Sequence, residues 1–257
     1  DDQRRPAISL FMPDRLALVK GPPSPRRAHL DRFAAALRPA RAELRRAYGR
    51  ALAQRNNLLT RVRRGTDPGA LDAWDRELAE RAAPLVESRA SAAAELVAPF
   101  AEAGEALGLA GGAEITYRPR TGDLDADGIL AELRERRDGD VARGFTGYGP
   151  HRDEIEISFG GRSLRRYGSQ GQQRLGLLAL LFAEREALRA ERRRLPLMLL
   201  DDVMSELDPE RRRRLIELLE RDGQALITAT EPDHVPAMQA RELTISDGLA
   251  TAQEPVG

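Results

Sequence analysis

Residues 195 to 212, LPLMLLDDVMSELDPERR, run from six mostly apolar positions straight into two adjacent aspartates. A short continuous apolar run is what a buried strand of a parallel sheet presents, and Pro196 is tolerable at its start. Ending such a strand on Asp201 and Asp202 is costly unless the charges are used there. Ligands of open α/β sheets bind at the carboxyl edge of the strands. A carboxylate at that edge suits Mg2+, which keeps several waters and phosphate oxygens beside one or two acids. In that reading Asp201 faces the metal, and Asp202, pointing the other way, polarises an attacking water. The alternative is a pair of solvated acids, followed by Asp208–Pro209 as a simple N-cap with proline at N1.

The neighbouring text supports an α/β layer. DPERRRRLIELLER (208–221) has the pattern of an amphipathic helix, QALITAT (224–230) of another buried strand, and ELTISDGLAT (242–251) of a hairpin. Upstream, YGSQGQQR (167–174) carries Ser169 and Gln172 at capping-box spacing, with Gly171 keeping the backbone open. The free amides and dipole of such a helix start favour an anion such as a terminal phosphate, although a capped helix and nothing more is a common outcome. The helix that follows, to about Glu191, has an almost wholly apolar middle and is expected to be buried. AEITYRP (113–119) and DEIEISF (153–159) alternate as strands do, and GGRSLRR (160–166) reads as a turn and return.

The front half reads differently. AISLFM (7–12) is a short strand, and the prolines of VKGPPSPRR (19–27) turn the chain. Helical periodicity covers 26–63, apart from Pro39, and again 70–107, with expected interruptions at Pro84 and Pro99. Each stretch would span roughly 50 Å if continuous. A tight turn joins them, predicting an antiparallel helical arm.

Lysines and arginines number 41, as do aspartates and glutamates, so the net charge is zero. The charge is nonetheless segregated: from Arg26 to Arg64 twelve arginines face only Asp31 and Glu43. Such an excess is either a solvated face with scattered ion pairs or a footprint for nucleic-acid phosphates. Aromatics make up 4% of the chain, which favours backbone tracking over base stacking. The absence of cysteine excludes disulfides, thiolate metal sites and a cysteine nucleophile. No apolar run approaches the roughly 18 residues of a membrane span.

In order, SQGQQ, a buried helix, LMLLDD and SELD match the signature, Walker B and D-loop of ATP-binding-cassette ATPases. Together with GPHRDE (149–154), QRNNLL (54–59) and LDAWDRELAE (71–80), they resemble the RecF family of bacterial DNA-repair proteins over essentially the whole chain. The resemblance implies an ABC-ATPase-type α/β head with an inserted antiparallel helical arm (lobe II). The end of a lobe I strand and linker would occupy 1–24, the arm 25–110, and the C-terminal part of the head 111–257. By the same resemblance Ser169, Gly171 and Gln172 would contact the γ-phosphate of ATP on another subunit, and Asp201 would hold Mg2+. Asp202 would stand for the catalytic carboxylate, Asp208 for the D-loop acid, and Thr230 for the switch residue, a place where many cassette ATPases have histidine. Arg26, Arg27, Arg45, Arg46, Arg63 and Arg64 are the candidate DNA contacts. His151, Arg152 and Asp153 match the family motif, with a structural salt-bridge role the natural alternative to a chemical one.

A Walker A loop, G-x-x-x-x-G-K-[ST], is missing from this chain, whose one lysine, Lys20, lies in LVKGP. The resemblance places that loop in an N-terminal segment, so the chain is expected to lack it and to bind nucleotide poorly by itself. The family reading implies an ATP-dependent homodimeric clamp in the cytoplasm, at the nucleoid. Its expected roles lie in repair, recombination, replication and the SOS response, acting on single- or double-stranded and gapped DNA with recombination mediator proteins. The alternatives are a non-enzymatic DNA-binding scaffold or the head of another SMC-like cassette ATPase.

Overall fold

The structure, a computed structural model, describes residues 8–109, 111–122, 125–192 and 195–252. Ala7, which the sequence assigns to the first strand, and the tail QEPVG lie outside the described residues. Strand β1 (Ile8–Phe11) leads through a 3-10 turn into the short α1 (Ala17–Lys20), then α2 (Pro23–Leu37), α3 (Leu44–Val62) and the long α4 (Leu71–Ala106). Next come β2 (Ala113–Arg118), α5 (Ala126–Glu135), α6 (Arg137–Arg143), β3 (Glu154–Phe159), β4 (Arg162–Ser163) and the single turn α7 (Leu164–Tyr167). The chain closes with α8 (Gln170–Arg192), β5 (Leu197–Asp201), α9 (Pro209–Glu220), β6 (Ala225–Thr228) and the hairpin β7 (Leu243–Ser246)–β8 (Leu249–Ala252).

The apolar run behaves as its composition dictates. Strand β5 sits between β1 and β6, parallel to both. Its even positions, Met198 and Leu200, join Phe11 in the main core, where the apolar middle of α8 is buried. Across the register, Ile8, Leu10, Leu197, Leu199 and Leu226 share the opposite face of the sheet. Among the described residues that face is only partly covered: Leu10, Leu197 and Leu199 are half-buried, and Ile8 and Leu226 are 57% and 54% exposed. Sheet β2-β3-β4 is antiparallel; its return strand β4 has only two residues, because Leu164–Tyr167 turns helical instead of continuing the hairpin.

The expected breaks in the second helical stretch do not occur. Helix α4 runs unbroken for 36 residues with Pro84 and Pro99 inside it. Each proline removes one hydrogen bond and crowds the preceding turn, a cost of about 3 kcal/mol in an isolated helix. Burial of Leu78, Ala82, Leu85 and Val86 around the first, and of Leu96, Phe100 and Ala103 around the second, outweighs it. The same helix serves two cores. Its first half packs with α3 and α5 around Tyr48, Leu78, Ile129 and Leu133, while its second half belongs to the core of the head. Gly104 permits the closest approach, because a Cβ there would lie 2.5 Å from the Cβ of Ala113 on β2. Helices α5 and α6 have no counterpart in the sequence reading. Among the described residues no helix is long and apolar enough to cross a membrane.

Candidate ATPase half-site and basic surface

Asp201 ends β5 on this partly covered face, exposed, in register with Thr228. The Thr228 hydroxyl donates to Asp201 Oδ1 (2.6 Å) and accepts from the Asp202 backbone N–H (3.1 Å), which also points at the Thr228 carbonyl (3.2 Å). Asp202 is held at φ 46°, one of two non-glycine residues with positive φ among the described residues. Left-handed backbone costs about 1–2 kcal/mol for an L-residue, with aspartate among the more tolerant. The two carboxylates take different partners, the Thr228 hydroxyl for Asp201 and the Ser205 hydroxyl for Asp202. Ser205 Oγ lies 3.0 Å from Asp202 Oδ2, whereas Oδ1 is buried with no hydrogen-bond partner. An orphaned carboxylate oxygen one residue from an exposed carboxylate fits a cation or a water supplied from outside. No group of three or more acidic, histidine or cysteine ligands occurs among the described residues. The donor set is therefore one or two carboxylates, the number that leaves room for waters and phosphate oxygens around Mg2+.

The capping box forms as its spacing predicts: Gln172 N–H donates to Ser169 Oγ (3.2 Å), and Ser169 N–H donates to Gln172 Oε1 (2.9 Å). All three polar or glycine positions of this start are accessible, Ser169 exposed and Gly171 and Gln172 partly so. Asp208 caps α9 through Arg211 N–H (2.9 Å) and pairs with the Arg211 guanidinium at 3.2 Å. That guanidinium also lies 3.4 Å from where a Cβ on Gly171 would sit. Arg174 of α8 pairs with Glu206 at 2.5 Å. The fold thus brings the starts of α8 and α9 together, as the motif order suggests. Thr230 is different: it is exposed, two residues beyond β6, with no hydrogen bond among the described residues. The hydroxyl that reaches the aspartates is that of Thr228, which sequence reasoning missed because a threonine inside an apolar strand carries no motif.

The basic candidates divide. Arg26 is 5% exposed and gives its guanidinium to Glu154 (2.7 Å) and to the carbonyls of Leu18, Val19 and Gly21. It is a structural residue and is corrected out of the DNA set. Arg27 is half-buried, with Nη1 on the Asp153 carbonyl at 2.8 Å. Distant acids also answer Arg38 (Glu95, Glu191) and Arg55 (Asp75, Asp140). The local count of acids therefore overstated the free charge. Arg45 and Arg46 remain exposed beside Asp31 (3.7 Å) and Glu43 (2.8 Å). Arg50, Arg61, Arg63 and Arg64 are exposed with no ion pair among the described residues. The Arg63 guanidinium lies close to Gly144; the next residue, Phe145, is 42% exposed, with the guanidinium carbons of Arg143 and Arg152 at 5.8 and 5.7 Å from its ring centroid.

The HRD motif is a clamp. Asp153 is fully buried and accepts from Tyr117 Oη (2.5 Å), Arg120 N–H (2.8 Å) and Arg89 Nη1 (2.9 Å). Burial pushes its carboxyl upward, against those donors. Arg89 of α4 also binds Asp31 of α2, so three parts of the chain meet on one guanidinium. Tyr48 Oη donates to His151 Nδ1 (2.6 Å), and His151 Nε2 donates to the Thr146 carbonyl (2.9 Å). Burial lowers the imidazole to about 4, so it is neutral with the proton on Nε2.

No family model matches the chain. Among curated proteins it is 40% identical over 244 residues to the DNA replication and repair protein RecF of Heliobacterium modesticaldum, across 91% of this chain and 64% of the relative. It is 38% identical over 254 residues to the protein of the same name from Streptomyces avermitilis, across 93% of this chain and 68% of the relative. The chain belongs to the RecF family. Among solved structures, that of the recombination mediator protein RecF-ATPrS in the RecFOR pathway superposes with a TM-score of 0.82 at 28% identity, over 96% of this chain and 68% of that one. The α/β head and helical arm are thus the RecF fold. The chain spans less than two thirds of the length of the first RecF relatives it matches.

Proposed function

We propose that this chain supplies the signature, Walker B and D-loop half of an ATP-dependent DNA-binding head in recombinational repair and replication-gap processing. The observation that carries the reading is the partly covered apolar face of β1-β5-β6, which ends at Asp201 and Thr228 beside the orphaned Asp202 oxygen. An exposed apolar sheet face calls for a covering element. A segment bearing a P-loop, as cassette heads have and this chain lacks, would both bury that face and bring phosphates to the strand ends.

Mg2+, when bound there, would neutralise charge on the phosphate oxygens. Asp201 would hold it, oriented by the Thr228 hydroxyl. Asp202, fixed by its own N–H on Thr228 and by Ser205, would accept the proton of a water aimed at the γ-phosphate. Ser169, Gly171 and Gln172 would offer hydroxyl, backbone and amide donors to the γ-phosphate of the other subunit in an ATP-dependent homodimer, with Asp208 and Thr230 near that interface. Exposed Arg45, Arg46, Arg63 and Arg64 would track a DNA backbone, with recombination mediator proteins as partners in recombinase loading. In this proposal 1–24 and 111–257 belong to the head and 25–110 to the arm, except that α2 and the second half of α4 pack into the core of the head and α5 packs with the arm.

The test is ATP turnover with and without a P-loop segment taken from a full-length relative. The chain alone is expected to turn over no ATP and the reconstituted pair to hydrolyse it slowly. Turnover by the chain alone at an ordinary cassette rate would overturn the half-site reading. A scaffold without ATPase activity is the outcome if the pair binds DNA yet neither binds nor hydrolyses ATP.

A further inference from the structure

Of the six phenylalanines only Phe145 is exposed, and it belongs to none of the three hydrophobic cores among the described residues. The backbone on either side of it is pinned. Gly144, at φ 77°, closes α6 with its N–H on the Asp140 carbonyl (2.7 Å). Thr146 is buried, its N–H and hydroxyl both on Asn56 Oδ1 of α3 (2.8 and 2.7 Å), and its Oγ1 accepts from Arg55 Nη1 (2.7 Å). A fixed loop thus holds an aromatic ring in water. A lone exposed apolar side chain needs no partner; the charges around this one set it apart.

The guanidinium groups of Arg143 and Arg152, at 5.8 and 5.7 Å from the ring centroid, stand at the outer edge of a cation–π contact. Arg143 is held by Asp140 (2.7 Å), whereas Arg152 is exposed and makes no ion pair among the described residues. The Arg63 guanidinium, also without an ion pair there, lies 3.1 Å from where a Cβ on Gly144 would sit. Residues 61–67 and 137–152, with the Arg55, Asp72 and Asp75 that pair into them, hold seven arginines against five aspartates. The surplus is two positive charges, and Arg63 and Arg152 place it at the ring.

Such a site suits a ligand that is both anionic and planar. A phosphate alone would use the arginines and leave the ring idle. A duplex offers phosphates but keeps its bases stacked inside. An unpaired base on a phosphate backbone uses both, by stacking on an aromatic ring or a guanidinium plane. Building on the DNA-binding reading above, we propose that Phe145 is a stacking platform for an unpaired base of single-stranded DNA, with Arg63 and Arg152 on the flanking phosphates. The exposed Arg61 and Arg64 continue the path of the strand along the end of α3.

The experiment measures binding of the chain, by fluorescence anisotropy, to oligothymidylate, to an abasic oligomer of the same length and to a duplex. The abasic strand keeps the phosphates and removes the bases. Oligothymidylate is expected to bind at least about fivefold more tightly than the abasic strand, the margin of one stacked base. Phe145→Leu should erase that margin while leaving the melting temperature, the duplex affinity and the salt dependence unchanged. Phe145→Trp should keep the margin, and Arg152→Gln should weaken both single strands and flatten their salt slope by up to about 1. Equal binding of the two single strands, a margin that survives Phe145→Leu, or one lost in Phe145→Trp would each overturn the proposal and leave phosphate tracking intact. In those cases the ring serves another partner, a protein surface among them. Thymidine monophosphate binding as tightly as the oligomer would assign the site to a free nucleotide and overturn the strand assignment. Failure of all three DNAs to bind at low salt would instead overturn the DNA-binding reading itself, and this proposal with it.

Discussion

Asp153 and Asp202 are both carboxylates at the end of short motifs, and the fold treats them in opposite ways. Asp153 is closed off by Tyr117, Arg89 and the Arg120 N–H, all from its own chain. Asp202 sits in a left-handed turn with one oxygen unanswered. The first arrangement spends every donor on stability, whereas the second leaves an acceptor for something the chain does not supply. Substitutions at the two kinds of site should therefore move stability in opposite directions.

The largest effect is expected in the sealed class. Asp75→Ala would strip a fully buried arginine, Arg55, of one of its two carboxylates and should cost about 3–5 kcal/mol in urea unfolding. A loss below 1 kcal/mol would show that water or local rearrangement replaces the partner. His151 gives the next effect. Its imidazole is held neutral down to about 4, against 6.5 when unfolded. In that window the unfolded chain binds the extra proton, so the stabilisation is complete above pH 6.5 and lost as pH falls to 4. The total is on the order of 3 kcal/mol. Unfolding curves across this range should flatten in His151→Asn, and an unaltered slope would remove His151 as the titrating group.

The open site should behave in reverse. Asp202→Gly relieves the positive φ and removes the orphaned oxygen, and is expected to raise stability by about 1 kcal/mol. The same change should abolish ATP hydrolysis by the reconstituted head. A destabilised glycine variant would mean that Asp202 belongs with the sealed class. The smallest change falls on the arm. Joint replacement of Arg45, Arg46, Arg63 and Arg64 by alanine should leave the melting temperature nearly unchanged. DNA affinity should drop, and the slope of log K against log salt should flatten by up to about 4. Unchanged DNA affinity at low salt would move the interface elsewhere.

The legible parts of this molecule are those in which local chemistry alone dictates the outcome. The Ser169–Gln172 box and the Asp208 cap rest on contacts three residues apart, the apolar run of β5 announces its own burial by composition, and each forms as the sequence suggests. Long-range pairing is where the text fails. Nothing near Arg26 announces Glu154, 128 positions later, so an interior arginine looked like a surface one. Helices α5 and α6 were missed because Ile129 and Leu133 are nearly their only buried apolar anchors in a charged stretch. The continuity of α4 through two prolines depends on partners from both cores, which no window of its own sequence contains.

That continuity has a mechanical consequence. Over 36 residues α4 is a rod of about 54 Å, anchored near its start by the core around Leu78 and near its end by the one around Phe100. Between the two anchors Arg89 latches it to Asp31 and Asp153. An arm built this way has no free hinge, so a load applied at the turn between α3 and α4 would be felt at the base of the head as a tilt of the whole rod.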